Sequence, residues 1–256
     1  MRGGDMNVGQ WGAWAMAPGR VTPDIVLICS KLAFVVAAIV FTAAPQIDTV
    51  VAGLFYDSQG HFSGRSGAIE TVREGFKGIY IAAFICALVG LWLAHSYKIK
   101  LMRLSSIRWL VVLVTLIVGP GLVANVMLKN EWGRARPSQT EQFGGTKLFT
   151  PALVPAAQCA RNCSFISGEA SSMFAVFFGL AMVTGPMARR YLAFGLIAGG
   201  VAGVIRMAQG AHYLSDVVFA GIFMAMTAVL VRFLVMDLRR YWMRQATAMQ
   251  RFVSRS

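Results

Sequence analysis

The sequence WLVVLVTLIVGPGLVANVML occupies residues 109–128 and contains no charged side chain. As an α-helix rising about 1.5 Å per residue, a stretch of this length crosses the roughly 30 Å hydrocarbon core of a bilayer. Five further apolar blocks occur along the chain, at about residues 25–44, 79–95, 168–183, 191–208 and 213–235. The sequence therefore predicts an all-α, polytopic membrane protein with six transmembrane helices in one bundle.

The composition of the whole chain favours the same class of protein. Of its 256 residues, 57% are hydrophobic and only 14% are charged, and the mean hydropathy is +0.61. A soluble domain of this length carries more charge and shorter apolar runs. We expect one membrane domain over residues 25–235, between a cytoplasmic tail at residues 1–24 and a basic cytoplasmic tail at residues 236–256.

The formal net charge of +13 is not distributed as in a nucleic-acid-binding protein, where basic residues line a soluble face with interleaved aromatic residues. Most basic residues flank apolar blocks instead: Lys98, Lys100, Arg103, Arg108, Arg189, Arg190, Arg239, Arg240, Arg244, Arg251 and Arg255. Such flanks face the cytoplasm. We expect no nucleic-acid partner, and we expect the opposite ends of the helices to face outward, away from the cytoplasm.

Three polar segments lie at these outward ends. The first is KNEWGRARP at residues 129–137, the second is SFISGE at residues 164–169, and the third extends from Arg206 to Asp216. Lysine and arginine side chains can hold a phosphate dianion, with arginine offering paired donors. Ser167 and Gly168 precede an apolar block, so their segment predicts a helix N-terminus whose free N–H groups favour an anion.

His212 and Asp216 are four residues apart at the predicted start of the last helix. Residues at this spacing share one helix face. A carboxylate there can accept a hydrogen bond from one imidazole nitrogen and leave the other nitrogen free as a nucleophile. The pattern indicates phosphoryl transfer through a phosphohistidine.

These segments resemble the type 2 phosphatidic acid phosphatase superfamily. Its pattern is Lys-x6-Arg-Pro, then Pro-Ser-Gly-His, then Ser-Arg-x5-His-x3-Asp. The resemblance implies that Lys129, Arg136 and Arg206 bind phosphate oxygens, assisted by Ser167 and the backbone of Gly168. It also implies that His212 attacks phosphorus, that Asp216 orients His212, and that neither a metal nor another cofactor is needed. The matching positions are Lys129, Arg136, Pro137, Ser167, Gly168, Arg206, His212 and Asp216.

Three positions depart from the superfamily pattern. Ile166 and Ile205 replace a proline and a serine, which we interpret as supporting changes. Glu169 replaces the histidine that protonates the leaving oxygen, and it is our candidate for that general acid. The alternative is that Glu169 only favours the dipole of its helix. A glutamate here is similar to the bacterial lipid A phosphatase branch, a weaker resemblance than the first.

Other polar residues in the outward loops have several interpretations. Cys159 and Cys163 can form a small disulfide loop in an oxidising periplasm, or they can be two free thiols. Arg134 matches no position of the pattern and is interpreted as solvated or in contact with a lipid head group. Residues 68–76 predict a short interfacial helix.

We infer from the sequence a lipid phosphatase whose substrate is lipid A, a glycerophospholipid or a polyprenyl diphosphate. Two alternatives stay open. A phosphotransferase would pass the phosphoryl group to a lipid hydroxyl instead of water. A non-catalytic phospholipid-binding or transport protein would keep the anion site without a functional acid.

Overall fold

The computed structural model describes residues 21–241 and residue 243, and this part of the chain is α-helical. The main helices are α1 (Pro23–Ala43), α2 (Gln46–Gly53), α3 (Gly67–Trp92), α4 (Ser106–Leu116), α5 (Gly168–Thr184), α6 (Ala188–Ala208) and α7 (Leu214–Arg232). Wider π-helical turns continue α3 over Leu93–Tyr97, α4 over Ile117–Leu128 and α7 over Phe233–Asp237, and α4 ends in a further turn at Lys129–Glu131. Short 3₁₀ turns occur at Leu101–Arg103, Pro137–Gln139, Glu141–Phe143 and Gly185–Met187. Most of both predicted tails lies outside the described residues.

The described residues contain five stretches long and apolar enough to cross a membrane: Pro23–Ala43, Gly67–Tyr97, Ser106–Glu131, Gly168–Ala208 and Leu214–Tyr241. Apolar side chains such as Ile28, Val36 and Leu196 are more than half exposed on the outside of the bundle, as expected for a surface that contacts lipid. The prediction of an all-α, multi-pass membrane protein is confirmed.

The stretch Gly168–Ala208 consists of two antiparallel helices. The chain turns at Gly185, whose φ of +57° suits glycine. A Cβ atom added to Gly195 would lie 2.7 Å from the ring of Phe178, and one added to Gly199 would lie 2.5 Å from the ring of Phe174. Because the hydrophobic effect does not drive helices together inside lipid, such close packing at glycines holds α5 and α6 together.

The interfacial helix predicted at residues 68–76 is wrong, because these residues form the first turns of α3. Ser66 caps that helix by accepting a hydrogen bond from the N–H of Ile69 at 3.4 Å. Ion pairs of Arg73 with Glu70, and of Lys77 with Glu74, then bridge successive turns. These local contacts let the polar segment continue into the apolar one as a single helix.

Candidate active site

A cavity of about 550 Å³ opens at one end of the bundle. α3, α5 and α7 begin at this end, whereas α4 and α6 end there. The neighbouring helices therefore alternate in direction and bring their polar termini together. The charged residues that line the cavity are Arg65, Glu70, Arg73, Lys129, Arg136, Glu169 and Arg206.

Lys129 lies at the end of the α4 extension, with 8% of its surface exposed. Its Nζ atom is 2.9 Å from the point where a Cβ of Gly168 would stand. Only glycine allows the ammonium to come this close to the N-terminus of α5. The arrangement places a lysine charge beside free helical N–H groups, as an anion site requires.

Arg136 and Arg206 both line the cavity. Nη2 of Arg136 donates to the carbonyl oxygen of Asn162 at 2.8 Å. Nη1 of Arg206 donates to Oε1 of Gln209 at 2.5 Å. The structure thus brings the three predicted phosphate-binding cations to one cavity, and a neutral group of the protein holds each guanidinium in place.

Glu169 occupies the position where the cations converge. Its Oε1 atom lies 3.4 Å from Nε of Arg206 and 3.3 Å from Nε of Arg73. The carboxylate side chain is only 16% exposed. Glu169 therefore forms an ion pair with Arg206, which is predicted to bind phosphate, and a second ion pair with Arg73.

His212 is completely buried and lies two residues before α7 begins at Leu214. Its Nδ1 atom is 2.7 Å from the carbonyl oxygen of Ser164, whereas Oδ2 of Asp216 is 3.6 Å away. A carbonyl can only accept, so Nδ1 carries the proton and Nε2 has the free lone pair. Nε2 has no hydrogen-bond partner among the described residues. The imidazole and the carboxylate are thus neighbours, as expected, but the short hydrogen bond of Nδ1 goes to a main-chain carbonyl.

Asp216 is also completely buried, and both its oxygens are engaged. Oδ1 accepts from Nη1 of Arg134 at 2.6 Å. Oδ2 accepts from the hydroxyl of Ser164 at 2.5 Å and from the N–H of Tyr213 at 2.9 Å. Ser167, which precedes α5, is buried beside this group, and its hydroxyl has no hydrogen-bond partner in the described part of the chain.

Arg134 is not solvated, and this interpretation of the sequence is wrong. It is fully buried, and its Nη2 atom pairs with Oδ2 of Asp48 at 2.7 Å while Nη1 pairs with Asp216. Its Nε atom donates to the carbonyl of Thr150 at 2.9 Å, and the guanidinium lies 4.3 Å from the centre of the Tyr213 ring. Burial lowers the pKa of Arg134, but the carboxylates of Asp216 and Asp48 outweigh this effect and raise it. Asp48 and Arg134 are 86 residues apart, so no local spacing could have paired them.

The loop between α4 and α5 is closed by a disulfide between Cys159 and Cys163, with Cα atoms 5.6 Å apart. The N–H of Cys163 donates to the carbonyl of Lys129 at 2.9 Å, and the N–H of Ser164 donates to the carbonyl of Arg134 at 2.9 Å. The main chain at Cys163 and Ser164 therefore binds the main chain of the polar segment at residues 129–137.

Residues 108–240 match the model of the PAP2 superfamily. The chain belongs to the PAP2 superfamily. Relatives named lipid A 4'-phosphatase include one from Francisella tularensis subsp. novicida, 35% identical over 80% of this chain and 93% of that protein. Another, from Rhizobium leguminosarum, is 37% identical over 81% of this chain and 86% of that protein. A Rhizobium etli protein named lipid A 1-phosphatase is 30% identical over 69% of this chain and 77% of that protein. No solved structure matches the chain significantly.

The region that matches the PAP2 superfamily contains Lys129, Arg136, Glu169, Arg206 and His212, but two partners of this site lie before it. Asp48 on α2 pairs with Arg134, and Arg73 on α3 pairs with Glu169. Neither belongs to the three superfamily segments. Among the described residues, no group of three or more His, Cys, Asp or Glu side chains could hold a metal ion.

We predict that His212 of this PAP2 protein stays neutral far into the acidic range. Burial lowers its pKa to about 4, and Lys129 acts in the same direction, against the opposing effects of Asp216 and Glu169. The ordinary value is about 6.5. Because the neutral imidazole is the nucleophilic form, the competent form should persist as the pH falls, and should be lost only near the lowered pKa.

Titration by ¹⁵N NMR of histidine-labelled protein measures this pKa directly. The chain has three histidines, and the signal that disappears in His212→Ala identifies the residue. A titration midpoint at or above the ordinary value of about 6.5 would contradict the burial described for His212.

Proposed function

We propose that this protein is a membrane-embedded phosphatase that removes a phosphate from the sugar head group of lipid A or a closely related glycolipid. The observation that carries the proposal is His212, which directly follows the cavity-lining Ala211 and whose Nε2 has no hydrogen-bond partner among the described residues, at a cavity lined by Lys129, Arg136 and Arg206. The names of the similar proteins supply the lipid class.

In the proposed reaction, Lys129, Arg136 and Arg206 hold the phosphate oxygens, and the N–H groups at the start of α5 with the hydroxyl of Ser167 complete the anion site. Nε2 of His212 attacks phosphorus, and the bond from phosphorus to the sugar oxygen breaks. Positioned cations favour this step because negative charge is spread over the oxygens in the transition state. Water then attacks the phosphohistidine and releases inorganic phosphate.

Glu169 is proposed as the general acid for the leaving oxygen. A phosphate dianion that binds Arg206 would displace the carboxylate from that guanidinium and place negative charge beside it. Nearby negative charge favours the protonated form of a carboxyl group. Glu169 would then give its proton to the leaving oxygen and later take a proton from the attacking water. Arg73 can hold the displaced carboxylate, since it already lies within 3.3 Å.

The effect of Glu169→Gln should depend on the leaving group. With an alkyl phosphate, loss of the proton donor should lower kcat about a hundredfold. A diphosphate or anomeric sugar phosphate needs little protonation, so its rate should fall much less. Phosphate release from both substrates, measured with the same preparations of wild type and variant, checks this. Equal losses on the two substrates would rule out a general-acid role. Glu141→Gln, at an exposed glutamate in the loop before α5, serves as a control.

We further propose that the chain crosses the membrane six times, with the site in the periplasm of a bacterial inner membrane. α1, α4 and α6 end at the site, and α3, α5 and α7 begin near it, which requires an alternating arrangement of six long helices. The basic flanks then lie at the opposite end, in the cytoplasm.

Single cysteines at Gln142 and Met187 test this orientation, in a background where the free thiols Cys29 and Cys86 are replaced by serine. Both positions are exposed, and they lie at opposite ends of the bundle. A membrane-impermeant maleimide applied to cells with a permeable outer membrane should label position 142, and should label position 187 only after the inner membrane is opened. The reverse pattern would overturn the proposed orientation.

The substrate is tested with purified protein in detergent, incubated with lipid A, phosphatidic acid or a polyprenyl diphosphate, and analysed by mass spectrometry. Loss of one phosphate from lipid A at the highest kcat/KM is the expected result. Phosphate appearing on an acceptor lipid would instead identify a phosphotransferase. Binding of lipid A without any phosphate release would identify a non-catalytic lipid-binding protein.

A further inference from the structure

Ser164 connects the two residues that the superfamily pattern pairs. Its carbonyl oxygen receives the hydrogen bond from Nδ1 of His212 at 2.7 Å, and its hydroxyl donates to Oδ2 of Asp216 at 2.5 Å. All three residues are completely buried. The direct separation of 3.6 Å between Nδ1 and Oδ2 is longer than a hydrogen bond. Hydrogen bonds of Ser164 therefore connect the carboxylate of Asp216 to the imidazole of His212.

The direction of the Ser164 carbonyl is fixed by its neighbours in the loop. The N–H of Ser164 donates to the carbonyl of Arg134 at 2.9 Å, and the N–H of Cys163 donates to the carbonyl of Lys129 at 2.9 Å. The disulfide of Cys163 closes the preceding turn. The peptide that orients His212 is thus anchored at two points to the polar segment at residues 129–137.

A buried ion-pair network holds Asp216 from the other side. Arg134 donates to Oδ1 of Asp216 and pairs with Asp48 at 2.7 Å. Asp48 in turn accepts from the N–H of Ser215 at 2.8 Å, the residue just before Asp216. α2, an element outside the superfamily segments, therefore helps to fix the carboxylate that binds the Ser164 hydroxyl.

We propose that Ser164 is the residue that orients His212, and that Asp216, held by Arg134 and Asp48, contributes to this orientation through the Ser164 hydroxyl, in addition to its electrostatic effect on the imidazole. The inference rests on the proposed phosphohistidine mechanism. Because a carbonyl oxygen cannot donate a proton, it holds the tautomer in which Nε2 is free to attack. Ser164 is completely buried, and its hydroxyl and carbonyl are already bonded to Asp216 and His212, so it is a positioning residue with no contact to substrate.

Ser164→Ala separates the two functions of this residue, since it removes the hydroxyl and keeps the carbonyl. We expect kcat to fall about tenfold to a hundredfold, the cost of a slightly misplaced catalytic group. KM should change less than about twofold, since the phosphate-binding cations are untouched. Adding Ser164→Ala to Asp216→Asn should cost less than about threefold more, because both changes break the same link. The proposal would be overturned if the two substitutions lowered kcat independently, so that their losses multiplied in the double variant. It would also be overturned if Ser164→Ala had no effect on kcat.

Ser30→Ala is the matched control. Ser30 is a buried serine on α1 whose hydroxyl donates to the carbonyl of Val26 at 2.7 Å, within its own helix. Its removal should leave kcat and KM unchanged. Thermal melting of each variant in the same detergent shows whether a loss of kcat reflects loss of fold.

A ¹⁵N NMR measurement decides the proposal without relying on the folding of Ser164→Ala. In wild type, His212 should show a protonated Nδ1 and an unprotonated Nε2. The Nδ1–H signal should persist in Asp216→Asn, because the carbonyl partner is still present. Its loss or a change of tautomer in that variant would show that Asp216 is the direct partner. If the protein released no phosphate from any lipid, the proposed function would fail. The NMR measurement would still test whether the carbonyl of Ser164 is the partner of His212 Nδ1.

Discussion

His212→Ala is expected to abolish phosphate release from lipid, with kcat lowered by about 10⁵-fold or more, as when a covalent nucleophile is removed. The described residues that line the cavity are cations, carboxylates, amides, alcohols or small residues, and His212 directly follows one of them, Ala211. None of them has the free imidazole nitrogen on which the proposed covalent intermediate depends. Residual turnover should show no phosphorylated enzyme.

Two measurements make this prediction specific. Enzyme incubated with ³²P-labelled substrate and quenched in alkaline detergent should yield an acid-labile, base-stable phosphoprotein in wild type and none in His212→Ala. His95→Ala is the control, because His95 is an exposed histidine at the other end of α3. It should retain full activity. Near-wild-type rates in His212→Ala would rule out the phosphohistidine mechanism.

The fold could be predicted largely from the sequence, because the length and hydrophobicity of a membrane helix are local properties. Residues 109–128, without a charge, fall within a helical stretch that spans Ser106–Glu131. The error at the start of α3 has a local origin as well. The mixed polar and apolar residues at 68–76 predict a separate interfacial helix. The Ser66 cap and the Glu70–Arg73 pair instead stabilise one continuous helix.

The cations of the candidate site could also be predicted, since their motif spacing brings Lys129, Arg136 and Arg206 to helix ends at one cavity. The partner of His212 could not. Gly210 has a φ of +66°, and a Cβ there would lie 2.5 Å from the ring of Phe62. This turn comes two residues before His212, whose Nδ1 donates to the main-chain carbonyl of Ser164. A side-chain pattern carries no information about such a contact.

The burial of Arg134 could not be predicted from the sequence. A lone arginine in a polar loop has no feature that distinguishes a solvated side chain from a buried one. Its burial depends on α2 supplying Asp48, on the ring of Tyr213, and on the carbonyl of Thr150. These groups come together only in the folded chain.

Arg134→Met is therefore expected to lower the free energy of unfolding by about 3–5 kcal/mol, the usual cost of removing one partner of a buried ion pair. The variant leaves Asp48 and Asp216, which are at most 1% exposed, close together with no guanidinium between them. Burial already raises the pKa of Asp48, against the lowering effect of Arg134. Without Arg134, that carboxyl should take up a proton more readily, so the loss of stability should be larger at neutral pH than in acid.

The double variant Arg134→Met with Asp48→Asn tests whether charge or packing is responsible. Removing one carboxylate relieves the uncompensated charge, so the double variant should be more stable than Arg134→Met alone, although less stable than wild type. Arg161→Met, at an exposed arginine in the same loop, should leave stability unchanged. Urea or thermal unfolding in one detergent, followed by circular dichroism, measures all four proteins. If Arg134→Met unfolds like wild type, or if Asp48→Asn destabilises it further, then Arg134 does not serve as the counter-charge of the two buried carboxylates.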